Sequence, residues 1–174
     1  MQKRVGKRKV RVDKKKQLRP WLPGTLLAEI KNLYKFLNYQ SRSSLMEKIL
    51  MVTIQDRKFI EYVKPYMVRT IRLPVGHDDS YFVTLFGSPQ ISHTANQLYT
   101  EIKLGVTLRA SLYITKEVAE RYMHPFTSGL DISYDALATL ALDFGVRNLM
   151  DKFAPGYRYK YIYKKSQRVD QRSS

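Results

Sequence analysis

The sequence contains no cysteine, which excludes a disulfide scaffold, thiolate-held zinc, iron–sulfur clusters and a thiol nucleophile. It has only three histidines, His77, His93 and His124, at spacings that match no metal motif. No apolar run approaches the ~20 residues of a membrane span. The basic N-terminus leads into no apolar stretch of the kind a secretory signal carries. Walker, GxSxG and HExxH motifs are also missing. The one His–carboxylate cluster, His77-Asp78-Asp79, follows Gly76 and has the composition of a turn. A magnesium-dependent nuclease could use Asp78 and Asp79, but the expectation is a protein that is not an enzyme, with no cofactor and no metal site. The chain of 174 residues, 44% of them hydrophobic, suffices for one packed domain or two very small ones. It reads as soluble and cytoplasmic.

Acidic residues are the other shortage: 15 Asp+Glu stand against 31 Lys+Arg, for a formal net charge of +16. The surplus is concentrated at the two ends. Residues 1–19 hold ten basic side chains against Asp13, and residues 155–174 hold six against Asp170, which leaves a surplus of only two for residues 20–154. A nearly neutral globule thus carries two basic tails. Such dense like charge repels itself unless a polyanion neutralises it. Nucleic acid is the partner expected; an anionic membrane surface would require an apolar helical face that the N-terminal arm lacks.

Hydrophobic periodicity outlines the elements. Leu18, Pro20 and Leu22 alternate with Gln17, Arg19 and Trp21, predicting a short strand. Pro20 is tolerable there if its nitrogen points away from a partner strand. A helical stripe from Thr25 to Leu37 follows, and Ser41 caps a second apolar helix predicted to run towards Tyr62. Residues 66–90 read as a hairpin or irregular connector, with a short helix over 94–103. Leu108, Ala110, Leu112 and Ile114 then alternate with Thr107, Arg109, Ser111 and Tyr113, a second strand. Thr115 caps a helix that Pro125 is expected to end, followed by a loop through Ser128-Gly129. Ser133 caps a last helix ending near Lys152. In the tail, Tyr157, Tyr159, Tyr161 and Tyr163 alternate with basic residues and Ile162, as in a strand or a stacking platform for single strands.

Strand, helix, turn and Ser-capped helix therefore occur twice, as an internal repeat should. Matching Ser41 to Ser133 also matches Gln17, Arg19 and Trp21 to Arg109, Ser111 and Tyr113. Each copy resembles the ribbon-helix-helix superfamily of the Arc and methionine repressors. The resemblance lies in Gln17–Leu22 with Tyr39–Leu50, and in Leu108–Ile114 with Ser133–Leu142.

That resemblance implies an α+β, mainly helical fold in which two units share a two-stranded antiparallel ribbon. The expected layout is a basic arm (1–16), a first unit (17–64), a connector with a possible hairpin (65–105), a second unit (106–153) and a basic, Tyr-rich tail (154–174). It implies that the ribbon enters the major groove of double-stranded DNA, with Gln17, Arg19, Trp21, Arg109, Ser111 and Tyr113 reading bases. Lys14, Lys15, Lys16, Ser41, Arg42, Ser43 and Ser133 would hold phosphates. The function implied is sequence-specific regulation of transcription, or an accessory role in plasmid transfer or partition. Further copies of the chain could sit on adjacent sites, and no membrane or small-molecule partner is implied. The alternative from composition is an RNA-binding or ribonucleoprotein structural protein using the basic tails and the Tyr/Lys-rich end.

Overall fold

The two predicted strands pair with each other. In the computed structural model, which describes residues 15–74, 81–88, 91–105 and 107–157, β1 (Lys15–Leu18) lies antiparallel to β6 (Leu112–Thr115). Likewise β2 (Trp21–Pro23) lies antiparallel to β5 (Thr107–Arg109). Leu18 faces Leu112 and Trp21 faces Arg109, so one register runs through both pairs and the whole is a single ribbon.

Pro20 causes the interruption between β1 and β2. Its carbonyl accepts from the Ala110 N–H at 3.0 Å, so Pro20 occupies a position where both backbone polar groups face the partner. The expectation that its nitrogen points away is therefore wrong. The ribbon lacks one ladder bond at this point but keeps its register.

Helices complete two similar halves. After β2 come α1 (Gly24–Phe36) and α2 (Arg42–Ile54). After β6 come α5 (Lys116–Val118), a π-helical turn (Ala119–Met123), α6 (His124–Leu130) and α7 (Tyr134–Asn148). Ser41 caps α2 by accepting from the Ser44 N–H, and Ser133 caps α7 by accepting from the Ala136 N–H. These matched residues stand 92 positions apart. The same offset matches Arg19 to Ser111, which face each other in the middle of the ribbon. It also matches Thr53 to Gly145, where α2 crosses α7 and a Cβ on the glycine would meet the Thr53 hydroxyl. Matched positions of the two halves thus meet at two separate places.

Between the halves, α3 (Arg57–Val63) and a 3-10 turn (Lys64–Tyr66) lead into an antiparallel hairpin of β3 (Ile71–Pro74) and β4 (Phe82–Leu85). Helix α4 (Ala95–Lys103) follows, opened by a Thr94–Gln97 capping box. The inner face of the ribbon, Leu18, Leu22, Leu112 and Ile114, is fully buried against one core shared with Ile30 and Leu33 of α1, Ile49 of α2, and Leu137 and Ala141 of α7. Burying each such leucine or isoleucine contributes about 1.5–3 kcal/mol. The connector joins this core through Met67, Ile71, Leu73, Leu85 and Ala95. The fold is α+β and mostly helical, with small antiparallel sheets.

Four further expectations are corrected. The helix from Ser41 does not reach Tyr62 unbroken: it stops at Ile54, and Asp56, in extended conformation, caps α3 by accepting from the Lys58 N–H at 2.8 Å. Local capping here outcompetes helix continuation. Pro125 does not end its helix; it sits in the first turn of α6. The π turn before it, closed by the His124 N–H on the Ala119 carbonyl, widens the backbone where the proline ring would otherwise clash with the preceding turn. Ser128-Gly129 is accordingly helical, and the chain leaves α6 at Asp131, which is left-handed (φ 55°). The last long helix ends at Asn148, short of Lys152, and a separate turn α8 (Met150–Phe153) follows.

Asp56 also meets the Lys152 ammonium. Burial alone would raise its pKa, but the Lys152 contact and the Lys58 N–H outweigh burial and hold it below the ordinary carboxylate value. A depressed folded-state pKa gives stability that is complete above the unfolded value, about pH 4, and is lost as pH falls through the folded value. Asp56→Ala should therefore cost about 1 kcal/mol at neutral pH and flatten the acid limb of a urea-denaturation series. An acid limb identical to the parent's would contradict this account.

Candidate nucleic-acid interface

The ribbon turns its other face outward. Strand alternation places Gln17, Arg19, Trp21, Arg109, Ser111 and Tyr113 together on the face opposite Leu18, Leu22 and Leu112. Five of the six are exposed and Trp21 is half-buried. The structure therefore brings together all six residues assigned to base reading, three from each strand.

The two ends of this face differ. At one end, the Gln17 side-chain amide donates to the Ser111 hydroxyl at 3.1 Å and to the Tyr113 hydroxyl at 3.2 Å. Arg19 donates to the Gln17 carbonyl oxygen at 3.3 Å. These side chains order one another while leaving most of the Arg19 fork without a partner among the described residues. At the other end, the Trp21 ring is approached by two cations, Lys103 of α4 at 5.2 Å from its centroid and Arg109 at 5.3 Å. One guanidinium nitrogen of Arg109 reaches the Asp135 carboxylate at 3.5 Å.

Helix α7 runs along the outer edge of the first strand. The Arg19 N–H donates to Asp135 Oδ1 at 2.8 Å and the Trp21 N–H to Thr139 Oγ1 at 3.2 Å. Two edge amides that would otherwise seek a further strand are thereby satisfied.

The phosphate candidates divide. Lys14 lies outside the described residues; Lys15 is exposed in line with Gln17, whereas Lys16, also exposed, alternates to the Leu18 side of β1. The Lys16 ammonium rests 3.4 Å from the centroid of the Tyr134 ring. Ser41 caps the Ser44 N–H, which leaves the N–H groups of Arg42 and Ser43 at the start of α2 without intrahelical acceptors. No acid lies in that turn, and the helix dipole there favours an anion. Ser133 caps α7 equivalently, but Asp135 puts a negative charge in the same turn. Of the two Ser-capped starts, α2 is thus electrostatically the better anion site.

Sequence reasoning missed Lys103, Tyr134, Asp135 and Thr139. An acid in the first turn of a helix is a common, locally sufficient feature, so nothing nearby in the sequence pointed to the ribbon. Burial, then the neighbouring Asp135 carboxylate, pushes the Tyr99 phenol above its ordinary value, so it stays protonated. The His77-Asp78-Asp79 cluster and the tail beyond Tyr157 lie outside the described residues. Tyr157 itself is buried, its ring 5.2 Å from that of Phe36, so it does not belong to an exposed aromatic face. Among the described residues there is no group of three or more His, Asp or Glu placed to hold a metal, and no helix is long and apolar enough to cross a membrane. Comparison with known proteins gave no matching family model, curated protein or solved structure.

Proposed function

We propose that this chain binds double-stranded DNA sequence-specifically as a tandem ribbon-helix-helix protein, two units in one polypeptide sharing one ribbon. It would serve as a transcriptional regulator or as an accessory protein in plasmid transfer or partition. The observation that carries the reading is the paired ribbon with six polar or aromatic side chains on its exposed face, three from each half. Two antiparallel strands fit the roughly 12 Å width of the major groove. Arg19 and Arg109 would address guanine O6 and N7 and the other four would contact neighbouring base edges and methyls, while Lys15, Lys16 and the start of α2 hold phosphates.

The repeat supports the same reading. A two-fold relation requires matched residues to face each other on its axis, and Arg19 with Ser111 and Thr53 with Gly145 do so. Because the matched readers differ in identity, the preferred site would be two unlike half-sites.

The test is selection of bound duplexes from a random pool, with structured RNA as competitor. An asymmetric duplex motif, resistant to RNA competition, is the expected result. Preferential loss to the RNA competitor would transfer the protein to the RNA-binding class. If about six to eight phosphates are neutralised, log K should fall against log[salt] with a slope of roughly −5 to −7. A slope near zero would remove the electrostatic part of the model.

A further inference from the structure

We infer that Asp135 is a positioning residue that sets which base Arg109 reads and so makes the two ends of the ribbon unequal; this rests on the duplex-DNA reading above. Its two carboxylate oxygens brace both strands, one accepting the Arg19 N–H at 2.8 Å and the other lying 3.5 Å from the Arg109 guanidinium. The residue is fixed in turn by the first turn of α7, where its own carbonyl accepts from the Thr139 hydroxyl at 3.0 Å. The Trp21 ring centroid lies 5.3 Å from the same guanidinium. Arg109 is therefore held by a carboxylate and an indole ring, with its remaining donors lacking a partner among the described residues.

Among the described residues the opposite end has no such brace. The 92-residue offset matches Asp135 to Ser43, Arg109 to Gln17 and Trp21 to Tyr113. Ser43 carries no charge, and Gln17 is held by hydroxyls instead. An arginine whose fork is pre-aimed selects a base pair, whereas an unrestrained one serves phosphates equally well. Asp135 also sets a negative charge beside the phosphate path, which disfavours non-specific contact by the same arginine.

The experiment uses the full chain and random-core duplexes, comparing the parent with Asp135→Asn, Arg109→Ala and the double variant. Asparagine keeps an oxygen for the Arg19 N–H but loses the charge that holds Arg109. Asp135→Asn should lose roughly tenfold in preference at the same base pair that Arg109→Ala affects, and the double variant should lose no more. Its melting temperature should stay within about 4 °C of the parent's, since the pair is half-exposed. Asp135→Ala, which removes both contacts, should lose the same preference and melt lower. Unchanged preference in Asp135→Asn, or equal weakening on every duplex, would overturn the inference while leaving the DNA reading intact. A parent chain that enriches no motif would overturn both.

Discussion

Gly145→Leu should leave the chain unable to hold α2 against α7, melting at least about 6–12 °C below the parent, equivalent to roughly 3 kcal/mol or more. Even an added Cβ at this position meets the Thr53 hydroxyl and lies 3.0 Å from the Ile49 Cγ2. Thr53 and Ile49 are themselves fully buried, so neither can swing into solvent. Gly145→Ala sets two effects against each other. It gains about 1 kcal/mol of helix propensity and loses about 1–3 kcal/mol to overpacking. The net should be destabilising. Thr53→Ala in the same chain removes the atom that clashes, and the double variant should melt above Gly145→Ala alone. Thermal denaturation followed by circular dichroism measures all four. Additive losses in the double variant would mean that the two helices do not meet at this point.

Removing residues 1–14 should weaken binding to every duplex alike, by about a hundredfold or more at physiological salt. This segment holds seven basic side chains against one acid, and it stops short of Lys15, which already pairs with Thr115 in the ribbon. The truncated chain should therefore keep its fold, its melting temperature and its base preferences while its salt slope becomes shallower. Arg109→Ala should do the reverse, relaxing one base position by about 1–3 kcal/mol with little change in salt slope. Filter-binding titrations of specific and random duplexes across a salt series separate the two patterns. If both variants lose affinity equally on specific and random DNA, the exposed ribbon face is not a reader.

The ribbon was legible because its information is local: residues 17–22 and 107–114 alternate strictly, and in each half a later helix, α2 or α7, starts on a serine that accepts from the N3 amide. Where the alternation misled, position decided the outcome. Leu108 belongs to the apolar set and faces the buried Leu22, yet it is 57% exposed, and Lys16, its counterpart 92 positions earlier, is exposed as well. Asp56 was hidden because apolar residues continue on both sides of it, so periodicity outweighed a good capping residue. Pro125 followed the general rule in sequence, but a wide π turn changed what the backbone there could accept. Lys103 and Asp135 were illegible for a different reason. Each lies at the end of a helix where its charge is ordinary, and only tertiary packing brings α4 and α7 to the ribbon.

Pairing strands from opposite ends of the fold has a consequence for how the chain is made. Lys15 cannot meet Thr115 until both have left the ribosome, and matched residues emerge 92 positions apart, about 5–20 s at ordinary rates of synthesis. Throughout that interval the first half presents Leu18 and Leu22 on an unpaired strand. A neighbouring nascent copy offers the same half-built surface, so crowded polysomes favour exchange of halves between chains, and dilute ones favour closure within each.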